Sequence, residues 1–254
     1  MTLPALFAQG RRRAAADSTV IAFGNAVEGD AVNVAELVGR VAAAADAFGQ
    51  HGLQPGDRVL VQTDKSVNVL VTYLACVHAG LVFLPLNSAY TDSEVQWIVD
   101  DADPAVVVRD PSRAVLLGTH RALALDAAGQ GSLAELFASG STDRGRSFIE
   151  DPSHRRADDL AALVYTSGTT GRPKGAMLTH ANLASNAQTL VDAWGITSTD
   201  RLMHVLPVFH AHGLFVAVNT VLASGASMIW LPRFDPDAVF EALPVAGSRL
   251  LRPQ

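Results

Sequence analysis

Two long stretches without a charged side chain, residues 66–91 and 202–232, restrict the fold of this chain more than any other feature. Each exceeds the ~20 residues that cross a bilayer as a helix. Gly80 and Pro85 break the first. Pro207, Gly213, Asn219 and Gly225 break the second, which also carries His204, His210 and His212. A single spanning helix does not fit those interruptions. Buried strands and helices in succession do, because a parallel sheet covered on both faces has strands with no polar side. The expectation is a soluble protein with no membrane association.

Composition agrees with a buried core. Apolar residues make up 49% of the 254 and charged residues 17%, which fits an α/β domain rather than disorder. A formal charge of −6 gives no electrostatic reason to expect nucleic acid as a partner. The single cysteine, Cys76, excludes an internal disulfide and suits a reducing cytoplasm, the expected location. It falls on the apolar repeat of an expected helix, as a core residue. The apolar patch at residues 3–8 is too short for a secretory signal, and Arg11, Arg12 and Arg13 follow it instead of preceding it.

After an irregular start, Asn33 with Glu36 marks a helix N-terminus, and Val34, Leu37, Val38, Val41, Ala45 and Phe48 repeat at helical spacing. A strand over 58–63, a helix over 67–78 closed by Gly80 and a strand over 81–86 follow. A short helix opened by Thr91 and Glu94 and a strand over 105–108 complete the alternation. That alternation implies a largely parallel sheet flanked by helices. Residues 109–159 read as a peripheral excursion with one helix near 132–138. Beyond them come a strand over 160–164 and a helix capped by Thr179. A strand over 201–206, a tight loop over 207–213, a buried helix over 214–222 and a strand over 226–231 then end the regular pattern.

Between those elements lies Tyr165-Thr166-Ser167-Gly168-Thr169-Thr170-Gly171-Arg172-Pro173-Lys174-Gly175. Gly168, Gly171 and Gly175 let a backbone approach an anion and turn its N–H groups inward. Thr166, Ser167, Thr169 and Thr170 add hydroxyls, and Lys174 adds a point charge that can follow a moving phosphate. The chain has only two lysines, Lys65 and Lys174, so a lysine inside such a loop is not generic surface charge. The spacing is not the Walker pattern, and composition alone leaves a plain surface loop open.

This stretch resembles the signature phosphate loop of the adenylate-forming acyl-CoA synthetase superfamily. Gly80-Leu81-Val82-Phe83-Leu84-Pro85-Leu86-Asn87 resembles that family's N-terminal half, and Leu206-Pro207-Val208-Phe209-His210-Ala211-His212-Gly213 resembles its second motif, which borders the acyl pocket. Together with Leu231-Pro232-Arg233-Phe234-Asp235-Pro236, these look most like malonyl-CoA synthetases. The resemblance implies an α/β fold, an incomplete large N-terminal domain over 1–243 with mostly parallel sheets, followed by an unpatterned tail over 244–254. It implies an acid–thiol ligase that uses ATP, Mg²⁺ and CoA to activate malonate or methylmalonate. Thr166, Ser167, Gly168, Thr169, Thr170, Gly171 and Lys174 would then hold the ATP phosphates, with Thr166 also helping to place Mg²⁺. His210 would be catalytic and face the acyl substrate, and Arg233 would pair with the second carboxylate of a dicarboxylic acid. From residue type alone, His210 as a core histidine and Arg233 as an exposed turn arginine are the alternatives.

The chain departs from the family by what it lacks. It has no Tyr-Gly-x-Thr-Glu stretch, no Thr-Gly-Asp segment and no small C-terminal domain with its adenylation lysine. The expectation is a truncated chain, inactive alone, with apolar surface along 202–231 left to associate with other copies. The alternatives are a non-catalytic remnant and a ligase for a fatty, aromatic or amino acid.

Overall fold

The N-terminal stretch, which the sequence pattern leaves irregular, is structured. In the computed structural model, which describes residues 1–15, 18–23, 31–113, 121–151, 154–166 and 173–246, helix α1 spans Leu3–Arg13. Thr2 Oγ1 accepts a hydrogen bond from Ala5 N at 3.4 Å, and Pro4 sits in the first turn, where its missing N–H costs nothing. Leu3, Leu6 and Phe7 are buried. Strands β1 (Thr19–Phe23) and β2 (Ala31–Asn33) follow as an antiparallel pair.

From here the predicted alternation appears. Helix α2 (Val34–Gln50) starts where Asn33 Oδ1 accepts from Glu36 N at 2.8 Å. Strand β3 (Arg58–Gln62), helix α3 (Val67–Ala79), strand β4 (Val82–Pro85), helix α4 (Asp92–Ala102) and strand β5 (Val106–Arg109) succeed one another. Ser66 caps α3, and Gly80 closes it in the left-handed conformation. Thr91 and Glu94 form the reciprocal capping box at α4. Cys76 is fully buried, and burial pushes its thiol well above the usual range, so it is the inert core residue expected.

Residues 109–159 are less peripheral than their sequence suggests. They hold strand β6 (Arg121–Ala124) and helices α5 (Ser132–Ser139) and α6 (Thr142–Glu150), of which only α5 has a sequence signature. Gly140 and Gly145, which look like loop markers, are contact residues. A Cβ on Gly145 would stand 1.8 Å from Ala42 O, and one on Gly140 would stand 2.0 Å from Ala43 O. Asp46 fastens the same contact from α2. Its carboxylate accepts from Ser141 N at 2.7 Å and from Arg144 Nε and Nη2 at 3.0 and 2.9 Å. Burial raises the Asp46 carboxyl, but Arg144 and Ser141 outweigh it and hold the group below the usual carboxylate range.

Strands β7 (Leu160–Thr166) and β8 (Lys174–Thr179) and helix α7 (His180–Trp194) come next. Strand β9 (Arg201–His204), a π-helical segment over His212–Val218, helix α8 (Asn219–Ser224), strand β10 (Ser227–Trp230) and helix α9 (Pro236–Ala246) complete the order. Helix α9 runs across Pro244, where the sequence pattern places the start of a tail; residues 247–254 lie outside the described residues.

The chain divides into two units, Arg40–His180, and Met1–Gly39 with Ala181–Gln254. The first holds a six-stranded sheet of order β6-β5-β3-β4-β7-β8, parallel except for β8. Leu60, Leu84 and Val107 on it pack with Val95, Ile98 and Val99 of α4. The second holds a four-stranded sheet of order β2-β1-β10-β9, in which β1, β10 and β9 are parallel. Among the described residues no helix is long and apolar enough to cross a membrane. Gly145→Ala should destabilise the protein by about 1–3 kcal/mol, because the new methyl overpacks against the α2 backbone. Urea unfolding measures this, and an unchanged midpoint would show that α6 does not press on α2.

Candidate functional site

The phosphate-loop sequence hangs from a hairpin. Strand β7 continues two residues past its predicted end, and β8 starts at Lys174, so the ladder sets Thr166 opposite Lys174. The two residues that bound the loop are therefore cross-strand neighbours, and both are exposed. Ser167, Gly168, Thr169, Thr170 and Gly171 lie outside the described residues.

Gly175 takes a different part from the one its spacing suggests. It lies within β8 opposite Tyr165, where a Cβ would stand 3.2 Å from both Tyr165 Cζ and Leu163 Cδ1. Its missing side chain makes room for the tyrosine ring rather than for an anion. Tyr165 is 8% exposed and donates its hydroxyl to Asp101 Oδ2 at 2.5 Å, with the Trp97 ring edge-on at 6.0 Å. Burial, then the hydrogen bond to Asp101, raises the phenol, so Tyr165 stays a protonated donor. Tyr165 and Asp101 tie the base of the hairpin to α4. Sequence spacing does not reveal that tie, since the two positions belong to separate elements.

The second group of candidates belongs to the four-stranded sheet. Trp230 and His204 are register partners at the ends of β10 and β9, so the loops that follow both strands leave the carboxyl edge of the sheet. Ligands of open α/β sheets bind at that edge. His210 is carried by the first loop and Arg233 by the second, and both are exposed. His210 Nδ1 accepts from His212 N at 3.2 Å, so the neutral ring carries its proton on Nε2. The His212 contribution here is its backbone N–H.

The helix after His210 begins two residues earlier than predicted and starts as a π-helix over His212–Val218, a rare form frequent at functional sites. Gly213 explains how the loop folds back on it. A Cβ there would stand 2.1 Å from Pro207 O, so only glycine lets the loop's carbonyl touch the helix backbone. His204, expected to be a packing residue, does more. It is 1% exposed, donates Nε2 to Gly213 O at 2.8 Å, and stacks on Trp230 with centroids 4.8 Å apart. A β9 side chain therefore fixes the start of the π-helix and with it the loop that carries His210. For a metal, the described residues gather no group of three or more His, Cys, Asp or Glu, and Thr166 supplies one hydroxyl oxygen. His204→Phe keeps an aromatic ring against Trp230 but removes the side-chain hydrogen bond to the Gly213 carbonyl, and should cost about 0.5–1.5 kcal/mol. His204→Gln, which retains an N–H donor, should cost less in the same thermal or urea unfolding experiment. Equal losses would show that the hydrogen bond is not what holds the loop.

The AMP-binding enzyme family matches residues 8–247. Feruloyl-CoA synthase from an Amycolatopsis species is 36% identical over 216 residues, covering 85% of this chain and 42% of that protein. Malonate–CoA ligase ACSF3, mitochondrial, from Xenopus laevis is 34% identical over 191 residues, covering 73% of this chain and 32% of that protein. The crystal structure of ATP-bound MatB from Rhodopseudomonas palustris has a TM-score of 0.86 at 45% identity, covering 97% of this chain and 48% of that one. The chain thus spans less than half the length of each of these relatives. It has the fold of the N-terminal region of adenylate-forming enzymes. A family match of that extent, on a fold shared so closely with MatB, makes this chain a member of the AMP-binding enzyme family.

Proposed function

We propose that this chain is the ATP- and acyl-binding part of an acid–CoA ligase, and that its acid is malonate or a methyl-substituted relative. In that reaction a carboxylate oxygen attacks the α-phosphorus of ATP, pyrophosphate leaves, and the CoA thiol then displaces AMP from the acyl-adenylate. The observation that supports the reading best is the apposition of Thr166 and Lys174 at the base of the loop, in a chain of this family.

Negative charge builds on pyrophosphate as it departs, and Lys174 with the Thr166 hydroxyl can meet it there. Mg²⁺, when bound, supplies further neutralisation of that charge. Thr166 fits it as one hard oxygen ligand, with the rest of the shell left to ATP oxygens, water and a carboxylate. On the acyl side His210 offers an Nε2–H donor, and the Arg233 guanidinium suits bidentate pairing with the remote carboxylate of a dicarboxylic acid. A ligase for an aromatic acid is the second reading, favoured by the 36% identity to feruloyl-CoA synthase. Without the Tyr-Gly-x-Thr-Glu and Thr-Gly-Asp stretches, the isolated chain is proposed to hold ATP but not to turn over. A pyrophosphate-release assay with malonate, ATP and Mg²⁺ checks this; turnover by the 254-residue chain would refute it.

Lys174→Ala should weaken ATP binding by the isolated chain about tenfold, or ~1.4 kcal/mol, in calorimetric titration. Unchanged affinity would remove Lys174 from the phosphate site. In a fusion that restores the length of the relatives, Arg233→Ala should impair malonate use more than acetate use. Equal impairment of both acids would end the assignment of Arg233 to the second carboxylate.

A further inference from the structure

The opposite edge of the four-stranded sheet carries a recess of its own. Strands β1, β9 and β10 begin there, at Thr19, Arg201 and Ser227, while the loops of His210 and Arg233 leave the far end. The recess has a volume of about 570 Å³, and its lining includes Arg13, Arg201, Ser18, Ser198, Thr199 and Ser227. No carboxylate lines it among the described residues. Asp200, next to Arg201 in sequence, is directed into its own turn, where it accepts from Thr197 N at 2.8 Å and from Thr197 Oγ1 at 3.1 Å. Ala16 and Asp17 lie outside the described residues, and no part of the site rests on them.

Both guanidiniums are held in place by a single contact. Arg201 Nε donates to Ser227 Oγ at 3.3 Å, across the register pair that starts β9 and β10. Arg13 Nη1 donates to Ala223 O at 3.1 Å. A guanidinium has five N–H donors, so each keeps most of its donors after that contact. Among the described residues, two positive charges and several hydroxyls with no lining carboxylate call for an anion. The donors outnumber the lone pairs of one carboxylate, and two cations exceed its single charge. A phosphomonoester carries about −1.5 to −2 charges and three acceptor oxygens, which matches both counts. Ligand pockets of ~300–1,000 Å³ hold whole small molecules, so this volume leaves space for an organic group beside the phosphate.

We propose that this recess is a binding site for a small phosphomonoester, at the opposite edge of the four-stranded sheet from the loops of His210 and Arg233. A ligand here does not compete with one at the carboxyl edge of the same sheet, so it can bind whether or not the acyl side is filled.

Calorimetric titration of the 254-residue chain with glycerol 3-phosphate, inorganic phosphate and glycerol tests the assignment. Glycerol 3-phosphate should bind, glycerol should not, and the ester should bind more tightly than inorganic phosphate. R13Q and R201Q should each weaken the ester at least tenfold, whereas K174A should change it less than twofold. Equal affinity for the ester and inorganic phosphate would overturn the ester in favour of free phosphate. Unaltered binding in R201Q, or loss of binding in K174A, would overturn the site. If R201Q does not fold, amide chemical-shift changes in the unmodified chain decide the matter. Ester-induced shifts at Ser198, Thr199 and Ser227 support the site, and shifts confined to the neighbourhood of Lys174 reject it.

Discussion

The antiparallel ladder between β7 and β8 determines where a loop of glycines and hydroxyl residues can hang, and the nucleotide side of the proposed function depends on it. β7 is held on its other side by β4, so the hairpin is built on a strand already buried in a parallel sheet. Tyr165 adds a hydrogen bond to Asp101, and the missing side chain of Gly175 leaves room for the ring. Because the ladder already brings Thr166 and Lys174 together, closing the loop between them costs little additional entropy. The ends of the loop are thus positioned by the sheet.

The other unit solves a similar problem with different means. Its loops carry His210 and Arg233 from adjacent parallel strands, and the alignment of those strands sets where the loops start. The His210 loop is further held by a side chain from the strand that launches it, since His204 reaches the Gly213 carbonyl. A backbone carbonyl that would otherwise be buried without full satisfaction thereby gains a partner, which is a reason for a histidine inside an apolar strand.

Much of this fold was legible in the sequence, and the exceptions have physical causes. Helix α2 announced itself through a cap and 3.6-residue periodicity, α3 through an apolar run closed by Gly80, and α4 through its capping box, all of them local signals. The strands of the parallel core did so through unbroken apolar runs. Helix α1 and strand β1 were missed because they pack on α8 and β10, some two hundred positions away, and β2 because it has only three residues. Strand β6 lacks an apolar pattern because it lies at the sheet edge, with Arg121 and Ala122 exposed. Helix α6 reads as loop because Gly145 is used for close approach, which looks the same in sequence as flexibility. In the candidate site, the residues were singled out by their distinctive chemistry. The supports were not, since the links of Tyr165 to Asp101 and of His204 to Gly213 are made by folding and have no fixed spacing.

The pairing of β1 with β10 also bears on how the protein emerges from a ribosome. Every strand of the six-stranded sheet has been made once Thr179 is added, so that sheet is contiguous in the chain. Ile21, by contrast, must wait for Met228, which at ~5–20 residues per second takes about 10–40 s. Throughout that interval α1, with Leu3, Leu6 and Phe7, lacks α8, the helix it packs against in the finished fold. Contacts so distant in sequence form late, because the intervening chain must be ordered first. The N-terminal segment is therefore the part of the nascent chain that stays exposed longest, and the speed of synthesis sets for how long.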